Sequence, residues 1–411
     1  MKAAGRGKKE EGLRSAARRS AFCLILVSSF FLLTACVSSR REAPRPGRTA
    51  FGSPLVVLPA QNLGDCLIVE VKWDRTGPYR FLIDTNSSVT LVSPDLAKRY
   101  ALKNEPPPFN APQVHVRSAD GGTVLLAATT LRRIELGDAR FDDVPVLIYD
   151  CAQLSDHFGV KIDGILGFPL FRETLLTLDY PRSRVVLTPT MPAPQLPGST
   201  IPFNNSSKTP LIPIQLGATT FIALIDSGST SALSLNPIGL QPSFANGPRP
   251  GPIVSTLSGD HPSLVGRLTD TLAIGDYTLP RPTVDVTDEL SSIGGEVLKN
   301  FTVTFDQERG QVTFYREATT PIEFEPHRSV GLSFSKTAAY WRVVGIVPGS
   351  PANLAQVQPG DLVTRINGEP VAQWDLRRFE QLVASARSIT FTFLNGTTEK
   401  NTTLSVFDLV P

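Results

Sequence analysis

Two segments of this 411-residue chain end an apolar run in an acid followed by short hydroxyl, amide or glycine residues. They are Phe81-Leu82-Ile83-Asp84-Thr85-Asn86-Ser87-Ser88 and Ala223-Leu224-Ile225-Asp226-Ser227-Gly228-Ser229-Thr230. A strand that stops at an Asp hands its carboxylate to a tight turn. A glycine in that turn lets the backbone come close and aim its N–H at the carboxylate. The Thr or Ser hydroxyl one residue on can bond across to a partner loop. Two such loops facing each other put two carboxylates side by side, and like charges that close cannot both ionise, so the pair shares one proton. One acid can then act as base toward a water while the other protonates a substrate carbonyl. Their titration belongs to the pair, and the residues alone leave open which is the base. Asp84 and Asp226 are the candidate catalytic pair, and Thr85, Asn86, Ser227 and Gly228 orient their loops.

The elements that must position them recur as well. Before each acid lies strand, turn, strand: LIVEVKWDRTGPYRFLID and LIPIQLGATTFIALID. After it come Ile134-Glu135-Leu136-Gly137-Asp138 and Leu272-Ala273-Ile274-Gly275-Asp276, then Ile165-Leu166-Gly167 and Ser292-Ile293-Gly294. Each series closes with strand, turn, strand: LLTLDYPRSRVVLT and TVTFDQERGQVTFY. Such self-similarity is the mark of a duplicated unit. Residues 51–190 and 205–320 read as two similar all-β lobes, joined by the Pro-rich linker 191–204.

Asp84-Thr85-Asn86-Ser87 and Asp226-Ser227-Gly228-Ser229 resemble the two catalytic loops of aspartic proteases of the pepsin and retropepsin type. Ile165-Leu166-Gly167 and Ile293-Gly294 are similar to the segment that passes behind each loop in that family and holds it, which gives Gly167 and Gly294 a loop-orienting role. The resemblance implies a mostly β, bilobal acid protease fold with both lobes in one chain and no obligate homodimer. It implies hydrolysis of a peptide or protein substrate by activated water, with no metal, cofactor or covalent intermediate. It also implies a flap over the cleft. The hairpin around Ser118 to Thr123, with Asp120, Gly121 and Gly122, is the candidate, because Asp-Gly and Gly-Gly steps suit tight hairpins. It lacks the flap Tyr of the pepsin-like members. Ser255 to Ser263 holds the corresponding place in the second lobe. Asn86 departs from the family's Gly. Asn tolerates a left-handed backbone better than most residues, yet its side chain adds bulk beside the carboxylates. Two readings follow: an active endopeptidase, or an inactive protease-like lipoprotein that binds peptides as a scaffold.

A different pattern begins near residue 325 and runs to 411. Gly331-Leu332-Ser333-Phe334, Pro348-Gly349-Ser350-Pro351-Ala352 and Gly360-Asp361-Leu362-Val363-Thr364-Arg365-Ile366-Asn367-Gly368 resemble a PDZ domain of the bacterial type. That resemblance implies that a C-terminal or internal peptide adds as a strand to a free edge. The N–H groups of Leu332, Ser333 and Phe334 would receive a carboxylate, and Leu332 and Phe334 would line an apolar pocket. A helix near Trp374 to Ala384 would form the other wall of the groove, its apolar residues falling at helical spacing.

Composition bounds the rest. The net charge is +2, but residues 1–35 hold seven Lys/Arg and two Glu, so the body is slightly acidic and lacks the basic surface that nucleic-acid binding needs. Ala21 to Leu33 is an apolar run shorter than the about 20 residues of a spanning helix, and with its basic leader it reads as an export signal. Leu33-Thr34-Ala35-Cys36 resembles the lipobox of bacterial lipoproteins. Residues 1–35 are thus expected to be a signal peptide, Cys36 the lipidated residue that anchors the protein to a membrane, and 36–50 a flexible tether. The expected location is the bacterial envelope, on the outer membrane facing the periplasm. Cys66 and Cys151 remain in the body, as one disulfide or as two buried thiols.

Overall fold

The computed structural model describes residues 46–411 except 74–75, 104–109, 119–120, 192–194, 205, 207, 257–258 and 338. The signal segment, Cys36 and Asp120 lie outside the described residues.

Each lobe is built around the same crossing of strands. In the first, Thr76–Asp84 runs parallel to Gly164–Gly167, with Phe81 beside Gly164 and Asp84 beside Gly167. The short strand Thr90–Val92 follows the Asp loop, pairs antiparallel with Gly164–Gly167 on one side and parallel with Ala139–Ile148 on the other. In the second, Thr219–Ile225 runs parallel to Ser292–Ile293, and Leu233–Leu235 lies between Ser292–Ile293 and Thr283–Val286 in the same senses. Each Asp therefore leaves its strand where the chain must turn between two strands of one sheet. The hairpins 123–136/139–148 and 271–274/277–280 reverse through Gly137 and Gly275, both with φ of +56°. That backbone region suits glycine.

The lobes share more than a linker. Thr174–Asp179 of the first pairs antiparallel with Thr302–Asp306 of the second, from Leu175 beside Asp306 to Asp179 beside Thr302. Arg184–Pro189 and Val56–Leu63 extend this sheet on one side, and Gln311–Tyr315 on the other. A single 14-stranded sheet results. Phe168 of lobe one packs edge-on against Phe305 of lobe two at 5.3 Å, and one apolar core runs from Val56 through both lobes to Phe324. Two expected loops are corrected here. Arg48–Phe51, spanning the end of the expected tether and the first residue of lobe one, is a strand paired with Ala139–Asp142, and Ser199–Pro202, inside the expected linker, pairs with Gln311–Phe314. Both are edge additions whose backbone groups find partners only once the lobe has formed. Cys66 and Cys151 are both buried and free.

The C-terminal domain has its own core around Trp341, Phe379 and Phe391. Its main sheet is six-stranded, with Leu332–Lys336 at one edge. The helix Leu376–Ser385 starts at Asp375, whose carboxylate accepts the Arg378 N–H, as an N-cap should. Phe379 of that helix meets Phe334 of the edge strand at 5.4 Å, edge to face. Strand His327–Ser329 pairs with Phe407–Val410 to close the domain.

Candidate active site

The two Asp loops meet at the lobe interface. Thr85 Oγ1 donates to Ile225 O at 2.6 Å and accepts from Ser227 N at 3.1 Å. Ser227 Oγ donates to Ile83 O at 2.8 Å and accepts from Thr85 N at 3.0 Å. Both residues are fully buried. This reciprocal grip brings Asp84 and Asp226 together. Oδ1 of Asp84 accepts from Asn86 N at 2.8 Å and from Ser87 N at 3.2 Å, and Oδ1 of Asp226 accepts from Gly228 N at 3.0 Å. Asp226 is buried, and Asp84 keeps a little more surface.

The glycines behind the loops act through space rather than dihedral freedom. A Cβ on Gly167 would stand 2.4 Å from Val89 O, and one on Gly294 2.4 Å from Ser231 O. The chain just past each holds the loop: Phe168 N donates to Ser87 O at 2.9 Å and Gly295 N to Ser229 O at 2.7 Å. Gly228 meets the opposite acid, since a Cβ there would lie 2.7 Å from Asp84 Cγ. Gly228→Ala is expected to displace the Asp84 carboxylate and, with it, any chemistry the pair performs; paired activity assays and thermal melts check this.

Asn86 corrects the reading drawn from backbone preference. Neither Asn86 nor Gly228 has a left-handed φ, so tolerance of that region is not what admits Asn. Its side chain instead reaches the other lobe, where Nδ2 donates to Asp226 Oδ2 at 2.9 Å. Nothing in the residue pattern named that partner, 140 positions away.

Burial drives both acids above the usual carboxylate range. For Asp84 the charge of Asp226 adds to it, and the N–H groups of Asn86 and Ser87 oppose it. For Asp226 the Gly228 N–H and the Asn86 amide are the main opposition. Cys66 and Tyr180, buried close enough to feel both acids, are pushed up first by burial and so stay neutral. Neither was singled out from the sequence as part of the site. A carboxyl whose folded pKa is raised contributes stability that is complete below its unfolded value, near 4, and is lost as pH rises through the folded one. Asp84→Asn should therefore gain stability relative to the parent as pH rises from about 4 to about 7, the value to which the Asp84 carboxyl is pushed. Urea midpoints against pH give the check; an unchanged difference between the two would contradict the assigned shift.

The tip of the hairpin expected as a flap contacts Glu289 of lobe two. Gln113–Arg117 and Thr123–Leu136 form the hairpin, with Gly121 at φ +82° and its N–H on Ser118 O at 3.0 Å. Ser118 N closes the tip on Gly122 O at 2.7 Å. Arg117 Nη2 contacts both carboxylate oxygens of Glu289 at 2.7 Å, and a Cβ on Gly121 would come within 2.3 Å of Glu289 Oε1. The matching hairpin of lobe two, Phe244–Thr256 with Gly259–Leu268, instead leans on the C-terminal domain. Ile253 N donates to Ser333 Oγ at 2.8 Å, and Ile253 fills the space over Gly345.

In that domain Gly331 takes φ +83°, and a Cβ there would strike Ser350 Oγ at 2.1 Å. Leu332 is buried, and Phe334 joins the aromatic cluster with Trp341, Phe379 and Phe391. Lys336 at the end of the edge strand reaches Asp156 of the helix Ala152–Phe158 at 3.2 Å, and Gly159 past that helix abuts the Asp375 carboxylate. Lobe one thus touches both walls of the groove.

Comparison with known proteins follows this geometry. Residues 69–170 match the aspartyl protease family model and residues 342–394 match the PDZ domain model. The crystal structure of the HtrA3 PDZ domain bound to a phage-derived ligand (FGRWV) aligns over 20% of this chain and 88% of that one, at 16% identity and a TM-score of 0.18. No curated protein matches the chain. The fold is mostly β, with an aspartyl protease domain and a C-terminal PDZ domain.

Proposed function

We propose that the chain is an aspartic endopeptidase whose PDZ domain binds peptide or protein C-termini. The observation that carries it is the interlocked pair of Asp loops: Thr85 and Ser227 exchange hydrogen bonds across the lobes and set Asp84 against Asp226. A structural pair would be neutralised by a cation or by mutual burial far from any opening. These two acids are held by N–H groups of their own turns, with no cation beside them among the described residues. The test is a pepstatin-sensitive cleavage assay on a peptide library from acidic to neutral pH. No cleavage at any pH by folded protein would leave the second reading, a peptide-binding scaffold, whose ground is that Asn86 stands where the motif has Gly.

The Arg117–Glu289 pair is mostly solvent-exposed on the Arg side, so it is worth at most about 1 kcal/mol and is screened by salt. It ties the hairpin tip to lobe two. Glu289→Ala should raise kcat/KM at low ionic strength by up to about fivefold, the factor that 1 kcal/mol allows. The parent should approach the variant at high salt, and equal salt dependence in the two would sink the idea.

For the PDZ domain, the edge strand Leu332–Lys336 has no strand on its outer side among the described residues and suits strand addition. A peptide with a free carboxylate should bind more tightly than its amide by fluorescence anisotropy. For the segment outside the described residues we propose lipid attachment at Cys36 and an envelope location. Metabolic palmitate labelling that persists in Cys36→Ala would overturn that.

A further inference from the structure

We propose that Asn86 is a positioning residue: its amide, donated across the lobes to Asp226, fixes Asp226 as the ionised member of the pair and leaves Asp84 as the one that carries the proton. The proposal rests on the aspartic peptidase reading and deepens it by assigning base and acid.

The two loops are near copies, so their difference is informative. In both, Oδ1 of the acid accepts the N–H of the residue two positions on. Beyond that the symmetry breaks. Gly228 presents no side chain to Asp84, and a Cβ there would lie 2.7 Å from its Cγ. Asn86, the equivalent position, presents an NH2 group to Asp226 Oδ2 at 2.9 Å. Asp226 therefore has a donor on each oxygen. Asp84 Oδ2 has none among the described residues. A donor that is always present favours the charged form of its acceptor, and an amide NH2 cannot accept a proton from a carboxylic acid. The oxygen with no donor, Asp84 Oδ2, is where a proton can sit and be given away. The other titratable groups around Asp226 do not reverse this. Cys66 and Tyr180 face it as neutral groups, and Asp65, beside them, is paired with Lys299 at 2.8 Å.

In the reaction, Asp226 takes a proton from water as the water oxygen bonds to the carbonyl carbon. The carbonyl π pair moves to its oxygen, which takes the proton from Asp84. The product is a neutral gem-diol, and the pair still holds one proton, now on Asp226.

The test reads protonation rather than rate alone. Asn86→Ala and Asn86→Gly remove the donor. The acid limb of kcat/KM, set by the first ionisation of the pair, should move up by about one pH unit, the size of a lost charge-assisted hydrogen bond. The alkaline limb, set by loss of the Asp84 proton, should stay in place, because Asp226 is charged on both sides of that step. A merely structural role would lower the amplitude and leave both limbs. Independently, carbon NMR of the parent chain with labelled aspartate carboxyls, assigned with Asp84→Asn and Asp226→Asn, should show Asp226 titrating in the lower step. If Asp84 takes the lower step, or if a folded Asn86 variant leaves the acid limb unmoved, the proposal is overturned. If no peptide is cleaved at any pH, the peptidase reading fails, and the NMR order of titration still decides the role of Asn86. If neither variant folds, the parent titration decides alone.

Discussion

Asp84→Asn and Asp226→Asn should each lower kcat for peptide hydrolysis by about 100- to 10,000-fold, the range for loss of a positioned acid or base. Asn keeps the shape of the side chain and accepts the same turn N–H groups through its Oδ1, so the loops should stay in place. What it cannot do is take or give the proton. The double variant should be no slower than the worse single one, because the two acids act as a unit and their losses do not add. Steady-state kinetics with pepstatin as a control, on protein shown to be folded by circular dichroism, gives the measurement. Hydrolysis that survives both substitutions would belong to a contaminant or to another mechanism, and the peptidase assignment would go with it.

The second large effect concerns the grip between the loops. Ser227→Ala removes one hydroxyl and strands two buried partners, Thr85 N and Ile83 O. Thr85→Val strands Ser227 N and Ile225 O. A buried polar group left without a partner costs about 1–3 kcal/mol, so each substitution, which strands two, should destabilise the chain by about 2–6 kcal/mol in urea unfolding. Thr85→Ser, which keeps the hydroxyl, should lose less than half of that. The double variant should cost less than the sum, since the two hydroxyls serve neighbouring groups in one network. Because the bonds run from lobe to lobe, turnover should fall with stability. A stable Ser227→Ala protein would mean that the lobes are aligned by their shared sheet alone.

That sheet was not visible in the residues. Leu175-Leu176-Thr177-Leu178 and Val303-Thr304-Phe305 each read as strands, but the pattern names no partner for either, and they pair across 127 positions at Thr177 and Thr304. The same holds for Arg48–Phe51 and Ser199–Pro202, which lie in segments whose Pro and polar content suggested linkers. Strand pairing at an edge depends on which backbone groups are left open after the lobe has formed, and composition carries no record of that.

The local motifs were the more legible part. Asp84 and Asp226, their hydroxyl neighbours, the glycines behind them and the PDZ motifs all depend on residues within a few positions of one another, where chain geometry alone limits what a turn can do. The partner of Asn86, the reach of Arg117 to Glu289, the free state of Cys66 and Cys151, and the seating of the PDZ domain against the helix Ala152–Phe158 depend on side chains brought together from distant positions. Such contacts follow from how two lobes and a third domain pack their apolar faces. An asparagine whose bulk stood as an obstacle beside one acid became a donor to the other only because packing the lobes placed that acid within its reach.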